Sequence, residues 1–156
     1  MGKNEKNHPA LFCGTYELTL EKGKIIIPEA VLQKLEAESP EEKLLYFFPH
    51  SCLFLYSERG MRDLVTEAMM RYHDQTVARR IWHTASQFSE KWSPEGAVAI
   101  PEALIKQYEF SSDERLVLVG TMNRMELWKC DDWKQEQEKM QTLLEPYLGD
   151  IEDLLN

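Results

Sequence analysis

Long apolar runs are missing from this chain. The longest, such as Leu44-Leu45-Tyr46-Phe47-Phe48, are five residues, far below the ~20 a membrane-crossing helix requires. Cysteine is scarce: Cys13, Cys52 and Cys130 are odd in number, far apart and form no C-x-x-C pair. That pattern fits free thiols in a reducing cytoplasm, not a disulfide framework. Positive charge is in deficit, with 18 Lys and Arg against 27 Asp and Glu and a net charge of −9. A wholly basic surface is thereby excluded. Residues 1–9 are polar and charged with no apolar stretch, so no secretory leader is expected, and Lys6 stands where a myristoylation signal would place Ser or Thr. There is no glycine-rich phosphate loop, no G-x-S-x-G elbow and no H-E-x-x-H frame around His73 or His83. His50 and Cys52 offer two candidate metal ligands where a structural zinc site takes four, so turn or core roles are the expectation for them. No enzymatic activity, cofactor, metal or small-molecule substrate is expected.

What the chain does have is a repeat. Thr19 to Ala30 is answered by Lys91 to Ala103: Gly23 matches Gly96, Ile27 matches Ile100, and Pro28-Glu29-Ala30 matches Pro101-Glu102-Ala103, all 73 positions apart. Further on, Leu53-Phe54-Leu55-Tyr56 matches Met125-Glu126-Leu127-Trp128 at a spacing of 72. A shift of one residue across a whole module is what duplication with drift leaves, and a repeat dictates fold before any other feature. Modules this small bury little apolar surface alone, so the two are expected to share a core.

The pattern within each copy is strand, strand, helix, strand, strand, helix. Thr15 to Leu20 alternates polar and apolar residues, Glu21-Lys22-Gly23-Lys24 reads as a turn, and Ile25 to Ile27 is β-branched; together they predict a hairpin. Pro28 suits the start of a helix whose apolar side is Ala30, Val31, Leu32 and Leu35. Leu44–Phe48 and Cys52–Tyr56 predict a second hairpin. The second copy predicts a hairpin turning at Pro94-Glu95-Gly96, a helix over 101–108, and strands 116–120 and 125–129. Apolar spacing of three and four predicts one long linking helix between Met61 and Trp82. A second helix is expected over 131–144, stopped by Pro146, with Pro9-Ala10 and Gly149 to Asn156 as loosely held termini. Trp82, Trp92, Trp128 and Trp133 are read as packing residues.

Several strings then occur in the order and spacing of a known family. Leu118-Val119-Gly120-Thr121-Met122-Asn123-Arg124-Met125-Glu126-Leu127-Trp128 is similar to the L-V-G-x-x-N-R-x-E-L-W strand pair of the MraZ family. Cys52-Leu53-Phe54-Leu55-Tyr56 is similar to its C-L-x-L-Y string, and Ala78-Arg79-Arg80 to its A-R-R step. The resemblance covers roughly residues 11 to 133. It implies an α+β fold: two tandem swapped-hairpin, AbrB-like β-pseudobarrel modules (16–59 and 87–131) in pseudo-twofold arrangement, a linking helix (60–86), and a C-terminal helix and tail (132–156). It further implies a cytoplasmic, nucleoid-associated transcriptional regulator that binds double-stranded promoter DNA of the division and cell-wall gene cluster as a ring homo-oligomer.

The departures from the family pattern lie in its DNA-facing turn, D-x-x-G-R. Glu21-Lys22-Gly23-Lys24 is one residue shorter, with Glu near the place of the Asp and Lys for Arg. Lysine keeps the charge but loses the planar fork, which favours phosphate contact over bidentate reading of guanine. In the second turn, Ser93 and Ala97 replace the Asp and Arg, Gly96 is kept, and Glu95 adds a negative charge, so this turn is expected to be disabled. Residues 1–84 hold 11 basic against 12 acidic residues, and 85–156 hold 7 against 15, which also places any DNA contact in the first half. Two readings follow: a DNA-binding regulator contacting DNA through Glu21, Lys22, Gly23 and Lys24, or a degenerate relative that keeps the assembly and serves as an interaction scaffold. Apart from the family, Lys22 and Lys24 are ordinary solvated charges. Arg79 and Arg80 are read as interface residues before DNA contacts, and Arg124 as a structural or interface residue.

Overall fold

The computed structural model describes residues 11–156, so the expectation for Pro9-Ala10 lies outside the described residues. Eight strands form two sheets. Six of them, β1 (Thr15–Thr19), β3 (Leu44–Pro49), β4 (Leu53–Tyr56), β5 (Ser89–Lys91), β7 (Arg115–Gly120) and β8 (Met125–Lys129), build one antiparallel sheet in the order β1-β7-β8-β4-β3-β5. The other two, β2 (Lys24–Ile26) and β6 (Ala97–Ala99), make a separate two-stranded ribbon.

The expected hairpin of residues 15–27 is corrected here. Its turn exists, but the strands on either side of it do not form a ladder with one another. β1 pairs with β7 from Thr15↔Val119 to Thr19↔Arg115, while β2 pairs with β6, Lys24↔Ala99 to Ile26↔Ala97. The second half mirrors this, with β5 on β3 (Leu44↔Lys91 to Tyr46↔Ser89). Each half thus places its first strand against the other half's third. The two halves meet between β4 and β8, where Leu53 faces Leu127 and Leu55 faces Met125.

Alternation in the strands builds two faces. Leu45, Phe47, Leu53, Leu55, Leu116, Leu118, Met125 and Leu127 point to one side and are sealed there by Ile25, Ile27, Val98 and Ile100 of the ribbon region. Two helices close the same cluster: α1 (Glu29–Glu38) contributes Leu35, and α4 (Glu102–Gln107) contributes Leu104. One core therefore draws on both halves of the chain. Full burial of a side chain such as Phe47 contributes about 1.5–3 kcal/mol. Pro28 and Pro101 each stand immediately before their helix and accept its first backbone bonds, from Leu32 (2.8 Å) and Leu104 (2.9 Å) respectively.

The other sheet face carries Tyr46 and Tyr56, packed with Met61 of α2 (Glu58–Arg71) and Ala85 of α3 (Thr76–Gln87). The single linking helix expected from Met61 to Trp82 is thus two helices. Asp74 causes the break: its Oδ1 accepts from the Thr76 amide at 2.9 Å and the Thr76 hydroxyl at 2.6 Å. An Asx residue that caps the following amides starts a helix instead of continuing one. The tail expectation is also corrected. After α5 (Cys130–Leu144), Pro146 sits in a 3-10 turn (Glu145–Tyr147) that leads into another helix, α6 (Leu148–Leu155). Proline is tolerated there because the first turn of a helix needs no donor from it. Among the described residues, no helix is long and apolar enough to cross a membrane.

Candidate nucleic-acid interface

The two turns of the repeat sit at opposite ends of the β2–β6 ribbon and use different solutions. In the first, Glu21 and Lys24 exchange both backbone bonds at 2.9 Å, and Lys22 and Gly23 lie at φ +52° and +75°. Positive φ at both central residues is the two-residue type I′ turn, whose twist suits a tight reversal. Gly23 accepts that conformation freely; Lys22 does so at a modest cost. The second turn has one more residue. Gly96 donates to the Ser93 carbonyl (2.9 Å), Ser93 donates to the Ala97 carbonyl (2.9 Å), and Gly96 takes φ +86°. Ser93 Oγ accepts the Ala97 amide at 3.0 Å. Serine thus closes the turn from the position of the missing Asp without supplying a charge.

Both turns are tied to the ribbon symmetrically. Ile27 donates to the Gly96 carbonyl and Ile100 to the Gly23 carbonyl, each at 2.9 Å. Ile25 and Val98 point into the core, which leaves Lys24, Ile26, Ala97 and Ala99 on the outer face. Lys24 is the only cation of the two ribbon strands. A shallow hollow beside the first turn is bordered by Lys22, Lys24, Ile26, Glu17 and Glu21. Arg115 lies 3.4 Å from Glu17, which offsets one of those carboxylates. The structure therefore brings Glu21, Lys22, Gly23 and Lys24 together at one end of the ribbon. It places Ser93, Glu95, Gly96 and Ala97 at the other end, with no cation among them.

Arg124, read from the sequence as a structural or interface residue, has partners that the sequence analysis did not name. Its guanidinium donates to Glu126 Oε2 at 2.8 and 3.2 Å and lies 4.0 Å from the centre of the Phe54 ring. His50 stacks on the same ring at 4.9 Å, and Trp128 Nε1 donates to Glu126 Oε1 at 3.1 Å. These groups join β4 to β8 at the seam between halves, and the half-buried guanidinium is committed to Glu126 and Phe54. The signal was available, since Arg124, Glu126 and Trp128 alternate along one strand face. Tyr108 ties the halves a second time: its hydroxyl accepts from the His50 amide (2.8 Å) and lies 3.1 Å from the Cys52 carbonyl.

Cys52 is buried, and burial first, then the neighbouring Glu126 carboxylate, pushes its thiol far above the usual cysteine range. Cys13 is exposed and Cys130 partly so. In a native-state thiol titration, Cys13 is expected to react promptly and Cys52 at least ~100-fold more slowly, because only local opening exposes it. Equal rates would show that the β4–β8 seam opens readily. Among the described residues, no group of three or more His, Cys, Asp or Glu is placed to hold a metal ion.

No family model matches the chain. Curated relatives do. A protein of Neisseria meningitidis serogroup A named transcriptional regulator MraZ is 26% identical over 130 residues, covering 81% of this chain and 85% of its own length. The MraZ of Methylobacillus flagellatus is 21% identical over 131 residues (83% and 88%), and that of Shewanella sediminis 25% over 149 residues (92% and 97%). The relatives carry the name of regulators, not enzymes. Agreement at this level across most of both chains, on top of the shared strings, supports a divergent relative of the MraZ family.

Proposed function

We propose that the chain is a DNA-binding transcriptional regulator that contacts promoter DNA through its first turn and acts as a ring homo-oligomer. On this reading residues 16–59 and 87–131 are two swapped-hairpin modules about a pseudo-twofold axis, each completing the other's sheet. The promoter is that of the division and cell-wall gene cluster, and the protein is cytoplasmic and nucleoid-associated. The observation that carries the reading is the type I′ turn, which holds Lys22 and Lys24 at an exposed ribbon end. Two lysines make a weak site, and repetition around a ring raises the effective concentration of the next contact. The second turn, with Glu95 and no cation, contributes little.

The test is a titration of promoter DNA at two salt concentrations. Lys22→Ala/Lys24→Ala is expected to reduce the salt slope by about two ion equivalents per engaged subunit, which weakens binding roughly tenfold or more. Ala97→Arg should strengthen binding. A second reading, a scaffold that has kept assembly and lost DNA binding, is favoured by the lack of a cation in the second turn and the net charge of −9. If the double variant binds as the parent does, or the parent shows no salt-dependent binding, the scaffold reading replaces the regulator.

A further inference from the structure

We infer that helix α6 of one subunit docks on the outward face of α3 in a second copy of the chain. The inference rests on the homo-oligomer reading above and names its contact surfaces. In α6, Leu148, Ile151, Leu154 and Leu155 share one stripe, while Asp150, Glu152 and Asp153 occupy the rest of the helix. Leu154 and Leu155 are 85% and 81% exposed. The preceding α5 buries no residue and extends the apolar line with exposed Leu143 and Leu144. Residues 130–156 hold eight carboxylates against two lysines. A helix amphipathic in this way, with none of the described residues of its own chain covering Leu154 and Leu155, lacks half of its packing.

The complementary face lies on α3. Ala78 and Ala85 turn inward, so Arg79, Arg80 and His83 face solvent, flanked by exposed Val77 and Trp82. No acidic residue lies between Thr76 and Gln87. Among the described residues Arg79 and Arg80 form no ion pair. Apolar meets apolar and acid meets base when α6 lies along this face, with Asp150, Glu152 or Asp153 reaching the two arginines. Because the tail and its seat are different surfaces, the contact is heterologous. Every subunit offers one of each, so the chain of contacts closes only as a ring. A helix of eight residues spans about 12 Å, so one seat is weak and several act together.

Full-length Leu154→Glu/Leu155→Glu and Arg79→Glu/Arg80→Glu proteins would be compared with the parent by light scattering at micromolar concentration. The thermal unfolding of each is checked first; exposed positions should leave it unchanged. Each variant is expected to associate at least ~10-fold more weakly. Mixed in equal amounts and concentrated well above the micromolar range, where a single weak seat is occupied, they should form a dimer and nothing larger, since the mixture contains one intact tail and one intact seat per pair. Variants that assemble like the parent, or a mixture that stays monomeric or regains the parent's mass, would overturn the docking while leaving the oligomer reading in place. A monomeric parent would overturn the oligomer reading and the docking with it.

Discussion

Replacing Glu58 with Ala is expected to lower the unfolding free energy by roughly 2–4 kcal/mol, the cost of orphaning several backbone donors at once. Glu58 opens α2, yet its side chain turns back to the loop between α1 and β3. Its Oε1 accepts from the Glu42 amide at 2.7 Å and the Leu44 amide at 3.2 Å, and Oε2 accepts from the Glu41 amide at 3.2 Å. Ser39 Oγ completes the arrangement, accepting the Glu58 amide (2.9 Å) and donating to the Leu44 carbonyl (3.1 Å). Glu58 is 8% exposed, so water replaces these bonds poorly at Leu44, although Glu41 and Glu42 lie nearer solvent. That difference is why the figure stays below the full penalty for three donors. Glu58→Gln keeps one acceptor oxygen and is expected to lose about half as much. Urea unfolding with an unchanged m-value would measure both. A loss under ~0.5 kcal/mol for Glu58→Ala would mean that the loop holds its shape without the carboxylate.

Local chemistry explains which parts of this fold were legible. Turns, prolines and strand alternation are written within a few residues, so the 15–27, 91–101 and 116–129 segments carried their own signals. Strand partnership is not local. Nothing near Thr15 indicates that its ladder partner is Val119, because the choice depends on burying the faces of both halves together. The break between α2 and α3 was written in Asp74-Gln75-Thr76, but the apolar spacing ran through it and masked the cap. The helical tail was lost to Pro146, read as a stop when it sits in a first turn, and to reading Gly149 to Asn156 as a loose terminus.

The candidate interface was legible in part for the same reason. The one-residue difference between the turns is now physical: a two-residue type I′ turn against a longer turn closed by Gly96 and the Ser93 hydroxyl. Ser93 preserves the shape of its turn while removing the charge, which separates folding from binding at that position. The Arg124–Glu126 pair shows the opposite case. A residue eye-catching in sequence for its charge is committed to Phe54 and the β4–β8 seam.

Gly120→Ala is expected to be the most damaging small substitution in the chain, costing about 3–5 kcal/mol, the range for losing a buried Phe from a core. A Cβ on Gly120 would collide with the Cys13 nitrogen and stand 2.6 Å from the carbonyl carbon of Phe12. Both obstacles are backbone, so no side-chain rotation relieves them; the segment before β1 must move off β7. Moving it breaks the Gly120 amide bond to the Gly14 carbonyl (2.9 Å) and the pair between Phe12 and Met122 (2.7 and 3.0 Å). It also withdraws Phe12, only 3% exposed, from the shared core. The glycine of the Leu118-Val119-Gly120 string is thus explained by close backbone approach. Gly149 provides the control. It lies in α6, where an added Cβ would meet nothing within 4 Å, so Gly149→Ala should leave stability unchanged or raise it by up to ~1 kcal/mol through helix propensity. Chemical denaturation of the two variants should therefore give shifts of opposite sign or very unequal size. A Gly120→Ala protein within ~0.5 kcal/mol of the parent would show that residues 12–14 yield without cost, and that Phe12 is no anchor of the fold.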